Sequence, residues 1–189
     1  MKSYKLNNIF TIINTKKFTI LADSGDNPTA GGIGNRIDVL EYVTKNKIKN
    51  VLFAGIFNTQ IFLDLKKNKK NITIHDKISK KRITLNIHKV TIKNNNAIVT
   101  SHNNTIIFTK YRRPFHYLND LNKLNIHLED FKIFIVKSGY LSPELKTLTA
   151  DNFMILTDGF VTQDFKKIKN IFRERPIFPF QKNFNYPVL

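Results

Sequence analysis

The chain has 189 residues, 41% of them hydrophobic, enough for one domain with a real core or at most two small ones. It carries 31 Lys and Arg against 14 Asp and Glu, a formal charge of +17. With no cysteine it has neither disulfides nor a thiolate metal site, which fits a reducing cytoplasm. No apolar run reaches the roughly 18 residues of a membrane span, and the short run Ile9–Ile13 makes no signal peptide, so no membrane partner is expected.

Residues 1–17 read as a lead-in or junction, either a short helix or extended chain. Its Leu6, Ile9, Phe10, Ile12 and Ile13 serve either the chain's own core or a contact with a partner. Phe18–Ala22 reads as a buried strand. Asp23 to Gly34 then place two carboxylates, an amide and several glycines in one turn. Glycines accept positive φ and let a ligand approach the backbone. Asp23, Asp26, Asn27, Gly31, Gly32 and Gly34 are therefore candidate cleft residues. The apolar spacing predicts a helix over Ile33–Thr44, whose free N–H groups would face the loop and suit an anion. The glycine spacing is not a dinucleotide fingerprint, and no phosphate-loop lysine and hydroxyl follow. An ordinary strand–turn–helix with an Asx-capped turn also accounts for the run.

Val51–Gly55 reads as a second strand, Thr59–Leu65 as a short helix, and Lys66–Lys70 as a charged turn. This order argues for parallel strands layered with helices. From Ile72 to Ile107, apolar residues alternate at period two between Asn-rich turns, which predicts antiparallel hairpins with one wet face. A short helix carrying Leu118, Leu121 and Leu124 follows, then a strong strand at Phe131–Val136, a turn or two of helix at Pro143–Leu148 and a strand at Phe153–Leu156. Asp158-Gly159 marks a turn before a helix over Thr162–Ile168. The expectation is a single α/β domain over residues 1–189. Its mixed sheet is layered with helices and interrupted by an antiparallel insertion at about 71–110.

The positive charge is mostly lysine, and Lys, Asn, Ile and Phe rise together, as in a chain whose whole composition has drifted. No helix-turn-helix, zinc-finger spacing, RNP-like motif or GXXG clamp is present. Nucleic acid is therefore ranked low as a partner, and most of the charge is read as solvated surface.

Three motifs resemble the C-terminal domain of the MlrC-type (microcystinase C) family of metal-dependent peptidases. Asp23-x-x-Asp26-Asn27-Pro28 and its glycines are similar to that domain's opening Asp-x-x-Asp-Asn-Pro-Gly-Gly-Gly. Ile135-Val136-Lys137-Ser138 resembles its Val-Val-Lys-Ser strand end. Arg175-Pro176-Ile177-Phe178-Pro179-Phe180 resembles its closing Arg-Pro-Ile-Tyr-Pro-Leu. The departures are Thr29-Ala30 within the glycine run, Asn58-Thr59 for Asp-Pro, Gly-Tyr-Leu-Ser after Lys137-Ser138, and Gln181 for a closing aspartate. In this family the metal ligands sit in a larger N-terminal domain. The resemblance thus implies a truncated or split arrangement, with zinc in a separate metal-bearing N-terminal chain and a peptide or amide as substrate.

His75, His88, His102, His116 and His127 form no helix-spaced pair, and adjacent His75 and Asp76 point to opposite faces of a strand. No metal or other cofactor is expected to be bound by this chain alone. Asp23 and Asp26 either lend oxygens to a site shared with another chain or accept backbone N–H bonds that shape the loop. Lys137 and Ser138 end the best strand, at the edge where parallel sheets place ligands. Lys137 is read as a cation for substrate or interface, or else as a solvated lysine beside a capping serine. Arg112 and Arg113 are a weaker candidate anion clamp. The expected function is a C-terminal domain or subunit that shapes the cleft of a metallopeptidase-like protein and lacks a complete catalytic set of its own. The alternative is a non-enzymatic binding module for an anionic ligand or nucleic acid.

Overall fold

The computed structural model describes residues 1–13 and 17–168. The motif Arg175–Phe180 and Gln181 lie outside the described residues.

Eight strands form one sheet. In chain order they are β1 (Lys2–Lys5), β2 (Thr19–Asp23), β3 (Val51–Phe57), β6 (Lys89–Lys93), β7 (Asn96–Ser101), β8 (Asn104–Thr109), β9 (Ile133–Lys137) and β10 (Asn152–Leu156). The spatial order is β1-β10-β2-β9-β3-β8-β7-β6. From β1 to β8 all neighbours are parallel, and β7 and β6 add an antiparallel edge. β4 (Asn71–Asp76) and β5 (Lys81–Asn86) make a separate antiparallel ribbon. The mixed α/β sheet is therefore as the sequence predicts. The middle segment divides: β4–β5 is the hairpin insertion, whereas β6–β7–β8 widens the main sheet.

Alternation along the central strands sends apolar residues to both faces. In β9, Ile133 and Ile135 join one core, while Phe134 and Val136 join the other. The first core is covered by α1 (Leu6–Ile12), α2 (Asp38–Lys45), α3 (Thr59–Lys66) and the β4–β5 ribbon. The second is covered by α4 (Leu118–Asn122), α5 (Pro143–Thr147) and the loops around Phe115 and Leu141. Strands buried on both faces read as continuous apolar runs, as they do here. β4 and β5 instead alternate buried and exposed, with Ile72, Ile74, Ile83 and Leu85 turned inward.

The lead-in belongs to the fold. β1 pairs with β10, Ile9 is fully buried, and Phe10 stacks on Tyr42 at 5.2 Å between ring centroids. Ile12 remains exposed.

Two helix expectations are corrected. The helix predicted from Ile33 begins at Asp38, because Asp26 takes the N–H groups of Gly34 and Arg36 and holds that stretch as loop. The predicted helix over Thr162–Ile168 is only a single 3-10 turn at Phe165–Lys167. Asp164, the residue that enters it, makes no side-chain cap bond.

Candidate functional site

β2 and β9 lie side by side, with Asp23 in register with Lys137, so both end at the carboxyl edge of the parallel sheet. The chain after β2 turns back over that edge, and this brings Asp26 to the same place. Lys137 Nζ lies 3.0 Å from Asp23 Oδ2 and 3.2 Å from Asp26 Oδ2. Two segments more than 100 residues apart in sequence thus meet, as their motif positions predict.

All three side chains are buried: Lys137 is 5% exposed, Asp23 5% and Asp26 1%. Burial works against the Lys137 ammonium, but the charges of Asp23 and Asp26 outweigh it and hold the Lys137 pKa above its usual value. The remaining carboxylate oxygens are also used. Asp23 Oδ1 accepts the Thr157 hydroxyl at 2.6 Å, and Thr157 Oγ1 accepts the Gly25 N–H at 2.9 Å. Asp26 Oδ1 accepts from Gly34 N–H and Oδ2 from Arg36 N–H, both at 2.8 Å. The void beside Asp23 and Lys137 is about 10 Å³, at the lower limit for a single water. Of the roles open to Asp23 and Asp26, the geometry displays loop shaping.

The rest of the loop is built around that triad. Asn27 Oδ1 accepts from the N–H and hydroxyl of Thr29, capping a single 3-10 turn at Pro28–Ala30. Gly31 and Gly34 have φ of +102° and +85°, conformations that strain other residues. At Gly32 a Cβ would sit 2.6 Å from the Asp26 carbonyl carbon. Ser138 is buried, donates its N–H to Asp23 O at 3.1 Å and its hydroxyl to Tyr140 O. Thr29, Ala30, Gly31, Ile33 and Asn35 form the loop's exposed rim. Arg112 reaches the same loop and donates to the Pro28 carbonyl, whereas Arg113 pairs with Asp120.

The structure adds residues that the motifs do not mark. Arg36, 4% exposed, donates from Nε to Asp38 Oδ2 at 2.8 Å. Lys81 bridges Asp38 at 3.0 Å and Glu41 at 3.5 Å. The first turn of α2 therefore carries its own anions, Asp38 and Glu41, where the sequence suggests an external one. Arg36, Asp38, Ser79, Lys81, Asp158 and Phe160 line a cleft of about 500 Å³ beside the triad. Thr157 and Gly159 close the network from β10; a Cβ on Gly159 would fall 1.8 Å from Gly25 O. In the sequence, Asp158-Gly159 signals only a turn.

Among the described residues no group of three or more His, Cys, Asp or Glu is placed to hold a metal ion. His75, His88, His102 and His127 are exposed on separate elements, and Asp76 is buried while His75 is not.

No curated protein matches this chain. Among solved structures, it is similar to the protein named "Putative metallopeptidase" from Mesorhizobium sp. BNC1. The TM-score is 0.62 at 14% identity, over 96% of this chain and 41% of that one. That likeness carries the fold, and the chain spans well under half of the larger protein. The model of the family described as MlrC C-terminus matches residues 21–170, from the β2 strand through the Lys137 edge, and the chain belongs to that family.

Proposed function

We propose that this chain is the cleft-shaping, non-catalytic part of a metal-dependent peptidase or amidohydrolase, working beside a separate metal-bearing domain. The observation that carries this reading is the pairing of family membership with a motif-bearing sheet edge whose charged groups are turned on one another. Asp23, Asp26 and Lys137 satisfy one another, and no metal cluster occurs among the described residues.

In this reading the buried triad is a positioning device. It fixes the 24–37 loop so that its exposed rim, with Arg112 behind it, forms one wall of a cleft. The adjoining loops carry exposed Tyr111, Tyr140 and Phe160, apolar surface suited to a second domain or to a peptide. Zinc, where the family uses it, would be held by the other domain; this chain supplies the wall.

Co-expression with a chain carrying the N-terminal metal-bearing domain tests the proposal. The expected result is a stable complex that contains zinc and cleaves peptides, while this chain alone does neither. Stoichiometric zinc or hydrolysis by this chain alone would overturn it, as would failure of the two to associate.

A further inference from the structure

The chain's positive charge is concentrated in one part of the sequence. Residues 45–113 hold 16 of the 31 Lys and Arg but only 2 of the 14 Asp and Glu, Asp64 and Asp76. A general drift in composition would spread the excess evenly. Within this stretch Asp64 is engaged by Lys69 and Asp76 is buried; the acids at the same end of the sheet, Glu129, Asp130 and Asp151, precede β9 and β10.

Six of these 16 cations converge at the amino edge of the sheet, opposite the Asp23–Lys137 site. α2 and α3 both run back from the carboxyl edge and end there. The turns are tied together by Asn50 N–H to Asn103 O at 3.0 Å, Asn104 Nδ2 to Ile48 O at 2.8 Å, and His88 N–H to Thr100 O at 2.9 Å. Ile87 N–H to Lys70 O at 2.7 Å joins the end of the ribbon to the same edge. Lys47, Lys49, Lys66, Lys67, Lys70 and Lys89 are exposed there and make no ion pair among the described residues.

We infer that this lysine edge binds the phosphate backbone of double-stranded nucleic acid without reading its sequence. Unpaired surface lysines set in a row of turns neutralise phosphates and release counterions, and they need no base contacts. Protein interfaces require an apolar or aromatic centre, membrane anchoring requires inserted apolar side chains, and single strands require stacking platforms. Among the described residues the exposed aromatic side chains, Tyr111, Tyr117, Tyr140, Phe160 and Phe165, follow the carboxyl ends of β8, β9 and β10, at the other edge. This inference is independent of the proposed cleft role.

The test is fluorescence anisotropy with a labelled mixed-sequence duplex of about 20 base pairs, titrated between about 50 and 200 mM salt. Binding is expected with a dissociation constant on the order of 10⁻⁶ to 10⁻⁴ M near physiological salt, equal for a second sequence of the same length. The variants K66Q/K67Q/K70Q and K47Q/K49Q/K89Q should each flatten the salt slope by roughly 0.9 per charge removed. K2Q/K5Q/K146Q, on β1 and α5 at the far side of the sheet from β6–β8 and with the same charge removed, should leave the slope unchanged. Equal weakening by all three variants, no duplex binding at low salt, or preference for phosphatidylserine vesicles over the duplex would each overturn the inference.

Discussion

Lys137 is the residue on which the carboxyl edge depends. Its ammonium is the cation that faces the buried carboxylates of Asp23 and Asp26. Replacing one partner of such a group leaves uncompensated charge, and costs about 3–5 kcal/mol. Lys137→Met should therefore lower the unfolding free energy by that amount, seen as a lower urea midpoint at an unchanged denaturant slope; a loss below about 1 kcal/mol would show that the triad is not what holds the loop. The motifs marked all three members of this triad, since Asp-x-x-Asp and a strand-final lysine are visible as residue types. They did not mark Thr157, which reaches the site through a pairing with Gly25 132 positions away, Lys81, which arrives on a hairpin, or Arg36, at the end of the loop itself. Nothing in their local sequence distinguishes them from ordinary surface residues.

At the scale of elements, caps decide boundaries that periodicity alone misplaces. α3 starts where the sequence puts it because Asn58 Oδ1 accepts the Ile61 N–H at 2.9 Å. Asn58→Ala should cost about 1 kcal/mol in thermal or urea unfolding, while Asn58→Asp should cost little. α2 shows the opposite case. Apolar positions at Ile33 and Ile37 continue the helical spacing backward, yet Asp26 captures the backbone N–H groups of Gly34 and Arg36. A side chain from a distant turn competes with the helix and wins. The β3 strand likewise reads as regular, but its register shifts between Phe53 and Ile56, at Gly55. Gly55 has φ of +86°, and a Cβ there would lie 2.9 Å from the Phe115 ring.

Across the whole molecule, two edges of one sheet carry different chemistry: closed ion pairs at the carboxyl edge and open lysines at the amino edge. The closed pairs give stability a defined pH window. Burial works to raise the Asp76 pKa, but bonds from Ser79 and Ile78 and the Arg36 charge prevail and lower it. Its contribution is present above the unfolded value of about 3.9 and is lost as pH falls through the lower folded value. Lys137, with a raised pKa, contributes fully below about 10.4 and loses its contribution as pH climbs through its folded value. The melting temperature should form a plateau between these limits. The gap between the wild type and Asp76→Asn should narrow as pH falls below about 4; a constant gap would show that Asp76 does not titrate with folding.

Composition and alternation by themselves determined that the chain forms a mixed α/β sheet with helices on it. Strands buried on both faces must be apolar throughout, and ribbons with one wet face must alternate. The sequence likewise determined the family, through Asp23–Gly34 and Lys137–Ser138. Tertiary structure alone decided three further points. The lead-in became an edge strand beside β10, the hairpin segment split into a separate ribbon and three sheet strands, and the lysines of α2, α3, β6 and their turns gathered at one edge. Each depends on which strands become neighbours. Pairing is chosen by burial of whole faces across long sequence separations, and no local spacing of residues encodes it.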